Sequence, residues 1–406
     1  MITALQPGAT NPMVDRAQFY TSPLNAQVLG DAVGRRIGIY DTTLRDGEQS
    51  VGVVFDPEDK VRIAHALDRL GVPRIEASFP RVSPRDEEAI RLLVQEDLDA
   101  QLWGFGRAVP ADIELLAGLG LPATIIEAPV SHTKLAAYGV EPEKMLERIR
   151  TAVQAGVESG MRVCFFGVDG SRAHMDHLRA SYEAALEGGA EEIAVVDTIG
   201  VLAPEAVRHL VGSVRGWVGP DIPIHWHGHN DFGLATAGAV AAVDGGANWI
   251  QATINGIGER AGNANIAEIA LAFEGLYEHQ TGLRLDRLRE TSQLVAELAG
   301  HGYEPWKSVV GDNLFIRESG AVAMQFHEPE AVEPYAADLV GAERKIVLGK
   351  KSGAVSLDIK AEELGLDLDG LDQMALLQEV KRLSEDHRRT ITDAEFVELV
   401  KRAQNG

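Results

Sequence analysis

Short apolar, β-branched runs recur along the chain and are separated by amphipathic stretches. The runs are RIGIYD (36–41), RIEASF (74–79), LWGFG (102–106), ATIIEA (123–128), RVCFFGV (162–168), EIAVVD (192–197), IPIHWH (222–227) and WIQATI (249–254). The intervening segments, such as DPEDKVRIAHALDRLG and EKMLERIRTAVQAGVESG, carry apolar positions at helical spacing. Strand starts fall about 20 to 40 residues apart, the size of a βα unit. Eight such units over about 250 residues predict an α/β chain closed into a (β/α)8 TIM barrel over residues 36–285. The rival is a doubly wound open sheet, which more often has a glycine-rich turn after its first strand. Here that strand runs into DTTLRDGEQ.

The rhythm stops near residue 285. LDRLRETSQLVAELAG reads as a helix, residues 305–350 are irregular, and LDQMALLQEVKRLSEDHRR and TDAEFVELVKRAQ read as two final helices, the second N-capped by Thr392. Residues 286–406 are therefore expected to form a mainly helical C-terminal subdomain, and residues 1–35, which lack any period, an N-terminal arm.

Composition narrows the function. The chain has 38 Lys and Arg against 61 Asp and Glu, a net charge of −23, which argues against a nucleic-acid partner. No apolar run approaches about 18 residues, so no membrane span is expected. The first residues lack a basic stretch followed by an apolar one, so no secretory signal is expected either. Cys164 is the one cysteine, which excludes an intrachain disulfide and a cysteine zinc site and fits a cytoplasmic setting.

In such a barrel, chemistry sits at the C-terminal ends of the strands. Those ends present Asp41, Thr42, Arg45, Asp46 and Gln49; Glu76; Arg107; Glu127 and His132; Asp169 and Arg172; Asp197 and Thr198; His225, His227, His229, Asn230 and Asp231; then Asn255, Glu259, Arg260 and Asn263. The sharpest signal is HWHGHND (225–231). Residues i and i+2 of a strand share a face, so His227 and His229 can grip one metal ion, with His225 on the same face if the strand reaches back that far. The bland alternative is a histidine-rich strand end with ordinary hydrogen bonds. Asp46, from the first strand, which neighbours the last in a closed barrel, can add a carboxylate, and Asn263 a neutral oxygen. One carboxylate, two imidazoles and one amide suit Zn, Mn, Mg or Fe as a divalent cation with open positions. A 2-oxo acid can chelate such an ion, and Arg45 can stabilise the alkoxide that develops. Glu76 has a second reading as a buried carboxylate paired with an arginine. GKKSG (349–353) lacks the upstream glycine of a phosphate loop and is set aside.

DTTLRDGEQ with Lys60, IEASFP, VVDTIG, HWHGHNDFGLATAG, TINGIGERAGN and LVGAERKIVLGKKSG together resemble the family of 2-isopropylmalate, homocitrate and citramalate synthases, barrel metalloenzymes related to hydroxymethylglutaryl-CoA lyase. The resemblance covers about residues 36–353. It implies a Claisen-type condensation of an acyl-CoA with a 2-oxo acid, hence an acyltransferase, and a homodimer. It places the metal ligands on Asp46, His227, His229 and Asn263, the catalytic arginine on Arg45, and 2-oxo acid contacts on Gln49, Glu76, Arg107 and Thr198. The departures are as informative. The family's Ser-x-Glu-Asp after the fifth strand reads Phe166-Gly167-Val168-Asp169, so Val168 stands where a glutamate handles protons. In the subdomain, the family's two histidines fall on Arg317 and Val322, and a nearby tyrosine on Val332. A substitute base is then required, and His132, Asp169, His327 and Tyr335 are the groups available. An unusual substrate pair, a CoA-independent metal-dependent aldolase or lyase, and a non-catalytic homologue stay open as alternatives.

Overall fold

The computed structural model describes residues 14–29 and 34–405. The parts of the expected arm at 1–13 and 30–33 lie outside the described residues. Eight parallel strands close into a barrel in sequence order: β1 (Gly38–Asp41), β2 (Arg74–Ser78), β3 (Gln101–Arg107), β4 (Ala123–Pro129), β5 (Arg162–Val168), β6 (Glu192–Asp197), β7 (Ile224–Gly228) and β8 (Trp249–Ala252). Closure is the β1–β8 pairing, with Tyr40 opposite Gln251 and Asp41 opposite Ala252. All eight apolar runs become strands, and the (β/α)8 expectation holds.

Local chemistry explains the helices between them. The helix Pro57–Leu70 starts at Asp56, whose carboxylate accepts from the Asp59 N–H while Asp59 reciprocates, and proline occupies the first turn. It buries Ile63, Ala64, Leu67 and Leu70, each such side chain adding about 1.5–3 kcal/mol on full burial for the larger ones. It ends at Gly71, whose φ of 87° is left-handed and free of strain only for glycine.

Alternate residues of the strands fill the barrel. Tyr40, Trp103, Phe105, Ile125, Cys164, Phe166, Val196 and Trp249 form one buried cluster, against which Phe79 and Val168 pack from the rim. Gly38 leaves room for that filling, since a Cβ there would lie 2.2 Å from the Trp249 ring.

Two compact units divide the chain. The first comprises residues 23–303 with Val14, and the second residues 15–22 and 304–405, among the described residues. The division falls later than residue 285 because the helix Leu288–Ala299 packs on the helix Pro57–Leu70 of the barrel. In the second unit, the helices Ala354–Leu364, Gln373–His387 and Asp393–Asn405 surround a core that includes Leu357, Leu376, Val380 and Phe396. Thr392 caps the last helix in a reciprocal pair with Glu395, as its sequence predicts. Phe19 bridges to Tyr335, so part of the expected arm belongs to this unit. GKKSG braces a turn: the Lys351 N–H donates to Glu318 and the Ser352 hydroxyl to the Glu318 carbonyl. No helix among the described residues is long and apolar enough to cross a membrane.

Candidate metal centre and barrel mouth

Strand β7 ends in Gly228, and His229 bridges in antiparallel fashion to Asn263 in the loop after β8. The tight turn after β1 carries Asp46, whose N–H is anchored on the Thr42 carbonyl. These three segments bring Asp46, His227 and His229 together, each almost fully buried. His227 Nε2 lies 3.2 Å from Asp46 Oδ2 and 3.2 Å from His229 Nε2, and His229 Nε2 lies 3.5 Å from Asp46 Oδ2. Such spacing is that of nitrogen and oxygen donors about 2.0–2.2 Å from one shared ion.

Two observations test whether these residues fit a cation. First, Asp46 Oδ2 and Asn263 Oδ1 are buried without a hydrogen-bond partner, an expensive state that an ion would relieve. Asn263 turns its amide N–H to the Ile257 carbonyl, 3.2 Å away, which leaves the oxygen free. Second, the imidazoles present bare nitrogens. His227 Nδ1 is 3.0 Å from Gln251 Oε1, a carbonyl oxygen that can only accept, so the proton sits on Nδ1 and the lone pair on Nε2 faces the cluster. Burial, with His227 adjacent, lowers the His229 pKa to about 4 and keeps that ring neutral. Burial works against the charge of Asp46, but the adjacent Arg45 guanidinium outweighs it and holds the carboxyl below the usual range. The residues fit a divalent cation.

His225 does share the face of His227, yet it lies deeper and takes other partners. Its Nε2 is 2.5 Å from Glu192 Oε2, and its Nδ1 is 3.3 Å from Gln251 Nε2. Arg74 forks onto Glu192 at 2.7 and 3.0 Å, with its guanidinium 3.7 Å from the Trp249 ring centroid. A continuous buried chain thus runs Arg74, Glu192, His225, Gln251, His227, through β2, β6, β7 and β8. Sequence reasoning missed Gln251, Glu192 and Arg74, because the partners come from strands that only barrel closure brings together. The inward register of Gln251 on β8 was the available signal.

Arg45 is clamped. Its Nε and Nη2 donate to the two Glu76 oxygens at 3.0 and 3.2 Å, its Nη1 is 3.7 Å from Asp46 Oδ1, and its guanidinium lies 4.1 Å over the Phe105 ring. Burial opposes its charge, but Glu76 and Asp46 overcome that and keep it protonated. Glu76, expected to contact the 2-oxo acid or to be a buried carboxylate paired with an arginine, has both oxygens on Arg45.

The other expected residues have partners of their own. Arg107 ends β3, and its guanidinium forks onto Asp112 at 2.8 and 3.1 Å. Asp169 is fully buried with a left-handed φ of 64°. Its carboxylate accepts from Ser131 and from Arg172, at 2.8 and 2.7 Å for the latter. The Thr198 hydroxyl accepts the Asp169 N–H at 2.7 Å and keeps its own hydrogen for a ligand. Gln49 is exposed and, with Arg45, Val53, Phe55, Phe79 and Val82, lines a cavity of about 290 Å³. His132 opens the helix His132–Tyr138 at the rim, its ring 6.0 Å from that of His174. Tyr335 and His327 belong to the second unit, where burial pushes the Tyr335 hydroxyl up to about 12.

Comparison with known proteins agrees with this fold. A family profile described as HMGL-like matches residues 36–295. The homocitrate synthase of Methanopyrus kandleri is 40% identical over 89% of this chain and 91% of its own length. The 2-isopropylmalate synthase of Methanocaldococcus jannaschii is 37% identical over 90% of this chain and 71% of its own. The (R)-citramalate synthase of the same organism is 36% identical over 90% and 74%. Among solved structures, the HMG-CoA lyase of Brucella melitensis superposes with a TM-score of 0.59 at 19% identity, covering 66% of this chain and all of that one, a likeness of fold. With its eight-stranded barrel and its matched span of 260 residues, the chain belongs to the HMGL-like family.

Proposed function

We propose that this protein is a divalent-metal-dependent acyltransferase that condenses an acyl-CoA with a 2-oxo acid in a Claisen-type reaction. The observation that carries the reading is the Asp46–His227–His229 cluster beside the clamped Arg45, in a chain 36–40% identical to three synthases of this type. Asp46, His227 and His229, with Asn263, would hold the cation, and the bound ion would supply Lewis acidity toward a ketone oxygen.

The chain's own residues do the rest. Arg45 is fixed by Glu76 and Phe105, so its charge needs no reorganisation as an alkoxide forms next to the cluster. Gln49 and the Thr198 hydroxyl are free to orient the 2-oxo acid's carboxylate. The cavity between the loops after β1 and β2 combines valine and phenylalanine walls with Lys60, Arg85 and Asp86, and would take the oxo acid's side chain. We further infer a cytoplasmic homodimer, in keeping with the resemblance.

The test is thiol release from acetyl-, propionyl- and malonyl-CoA against pyruvate, 2-oxoisovalerate and 2-oxoglutarate, with and without a chelator. Release with at least one pair, abolished by chelation and restored by Mg²⁺, Mn²⁺ or Zn²⁺, supports the reading. Formation of a free 2-oxo acid from a 4-hydroxy-2-oxo acid, without thiol release, replaces it with the lyase alternative.

A further inference from the structure

A condensation of this kind must move a proton, and the mouth of the barrel has few groups free to do so. Asp46 belongs to the cluster, Glu76 is forked by Arg45, and Asp169 is held by Ser131 and Arg172. Asp197 accepts the Leu202 N–H at 2.9 Å on one oxygen, its Oδ1 being buried without a partner, and Asp41 holds Thr43. Glu127 differs. Its carboxylate has no hydrogen bond or ion pair among the described residues, although it sits at the end of a barrel strand.

Its direction follows from the strand. Ala123 and Ile125 are in the barrel-interior cluster, so the two-residue period points Glu127 inward as well. Its neighbours in register are Arg107 on β3 and Phe166 on β5. The Phe166 ring touches that of His227, with centroids 5.1 Å apart. Glu127 therefore stands across one aromatic ring from the cluster, on the opposite wall. The charged groups that face it are Arg45 after β1, Glu76 on β2, Arg107 on β3 and Lys134 on the helix after β4. Glu76 and Asp112 already hold Arg45 and Arg107, which explains why neither arginine closes on it.

We propose that Glu127 is the general base of the condensation proposed above, and the inference rests on that reading. Its carboxylate takes the α-proton of the acyl thioester. The C–H electron pair forms the new C–C bond to the ketone carbon, and the ketone π pair moves to its oxygen, beside Arg45. The proton returns from Glu127 to that oxygen. Water then adds to the thioester carbonyl and the CoA thiol leaves with a proton, which completes the balance. Burial raises the Glu127 carboxyl above its ordinary value, with Arg45, Arg107 and Lys134 pulling it back, and a raised carboxyl is a better proton acceptor near neutral pH. Phe166, its register neighbour on β5, gives it one apolar flank.

The experiment uses the full chain with the substrate pair that gives most thiol release. Glu127→Gln should lower kcat by about 10²–10⁴-fold, keep the KM of the 2-oxo acid and the bound metal within about threefold, and lose the acid limb of the pH profile. Glu127→Ala should regain part of its rate in formate, a rescue that a structural role would not give. Turnover of Glu127→Gln within threefold of wild type overturns the proposal, as does a rise in KM alone, which would make Glu127 a substrate-binding group. If the wild-type chain releases no thiol from any pair, the functional reading falls and takes this one with it; wild-type turnover with an unimpaired Glu127→Gln removes the base alone.

Discussion

On the wall formed by β7, β8 and the loop after β1, nearly every chemical side chain is held by a second one. Gln251 fixes His227, Glu76 fixes Arg45, and the Arg74–Glu192–His225 chain fixes Gln251. On the wall formed by β3, β4 and β5, the lining is Phe105, Phe166 and Val168, with one unpartnered carboxylate, Glu127. The difference has a physical reason. Groups that hold a cation or face a developing charge gain from being rigid before the reaction. A group that takes and returns a proton must be free of strong partners, because a salt bridge would pin it in its ionised form.

The largest effect that can break this contrast is loss of the cluster. Asp46→Asn, His227→Ala or His229→Ala should abolish both bound metal and turnover, with elemental analysis as the check. Full metal occupancy in any of them would remove this site. Arg45→Ala is next. It should leave metal and 2-oxo acid binding in place and cut kcat by about 10²–10³-fold, the usual cost of one lost oxyanion donor. Loss of metal, with normal turnover once metal is restored, would reduce Arg45 to a structural partner of Asp46.

Smaller changes sharpen the same contrast. Gln251→Leu removes the acceptor that sets the His227 tautomer, and metal affinity should fall about 10–100-fold in calorimetric titration. Unchanged affinity would mean that the strand alone orients His227. The deepest link of the chain has a pH signature. Burial opposes the ionised form of Glu192, but His225 and Arg74 outweigh it and lower its pKa to about 2. A depressed carboxyl contributes stability above its unfolded value near 4.5, and that contribution is lost as pH falls toward 2. Stability curves between pH 5 and 2 should therefore be flatter for Glu192→Gln than for wild type, by about 3 kcal/mol across the window. Parallel curves would show that Glu192 is not the group titrating.

Much of the ion-holding wall is legible in the sequence. A strand's two-residue period places His227 and His229 side by side, and the closure of eight strands brings Asp46 to them. The eight runs that specify the barrel are strongly patterned because parallel strands are covered on both faces. What is not legible is where long polar side chains spend their hydrogen bonds. Arg107 at the end of β3 and Glu76 within β2 both look available, yet Asp112 and Arg45 take them. Asp169 looks unpartnered in the sequence, yet its left-handed turn delivers it to Ser131 and Arg172. Glu127 is visible as a strand-end residue, but its isolation is a property of its neighbours' pairings. The barrel unit runs past residue 285 for a related reason, since the helix Leu288–Ala299 carries no strand rhythm while packing on the barrel's first helix.

The central claim is that the ion is held by one wall and the proton is moved by the other. Metal bound per chain, measured by elemental analysis on identically purified wild-type, His227→Ala and Glu127→Gln proteins, tests it most directly. The account predicts wild-type stoichiometry for Glu127→Gln and essentially none for His227→Ala. Metal lost from Glu127→Gln, or kept by His227→Ala, would contradict it.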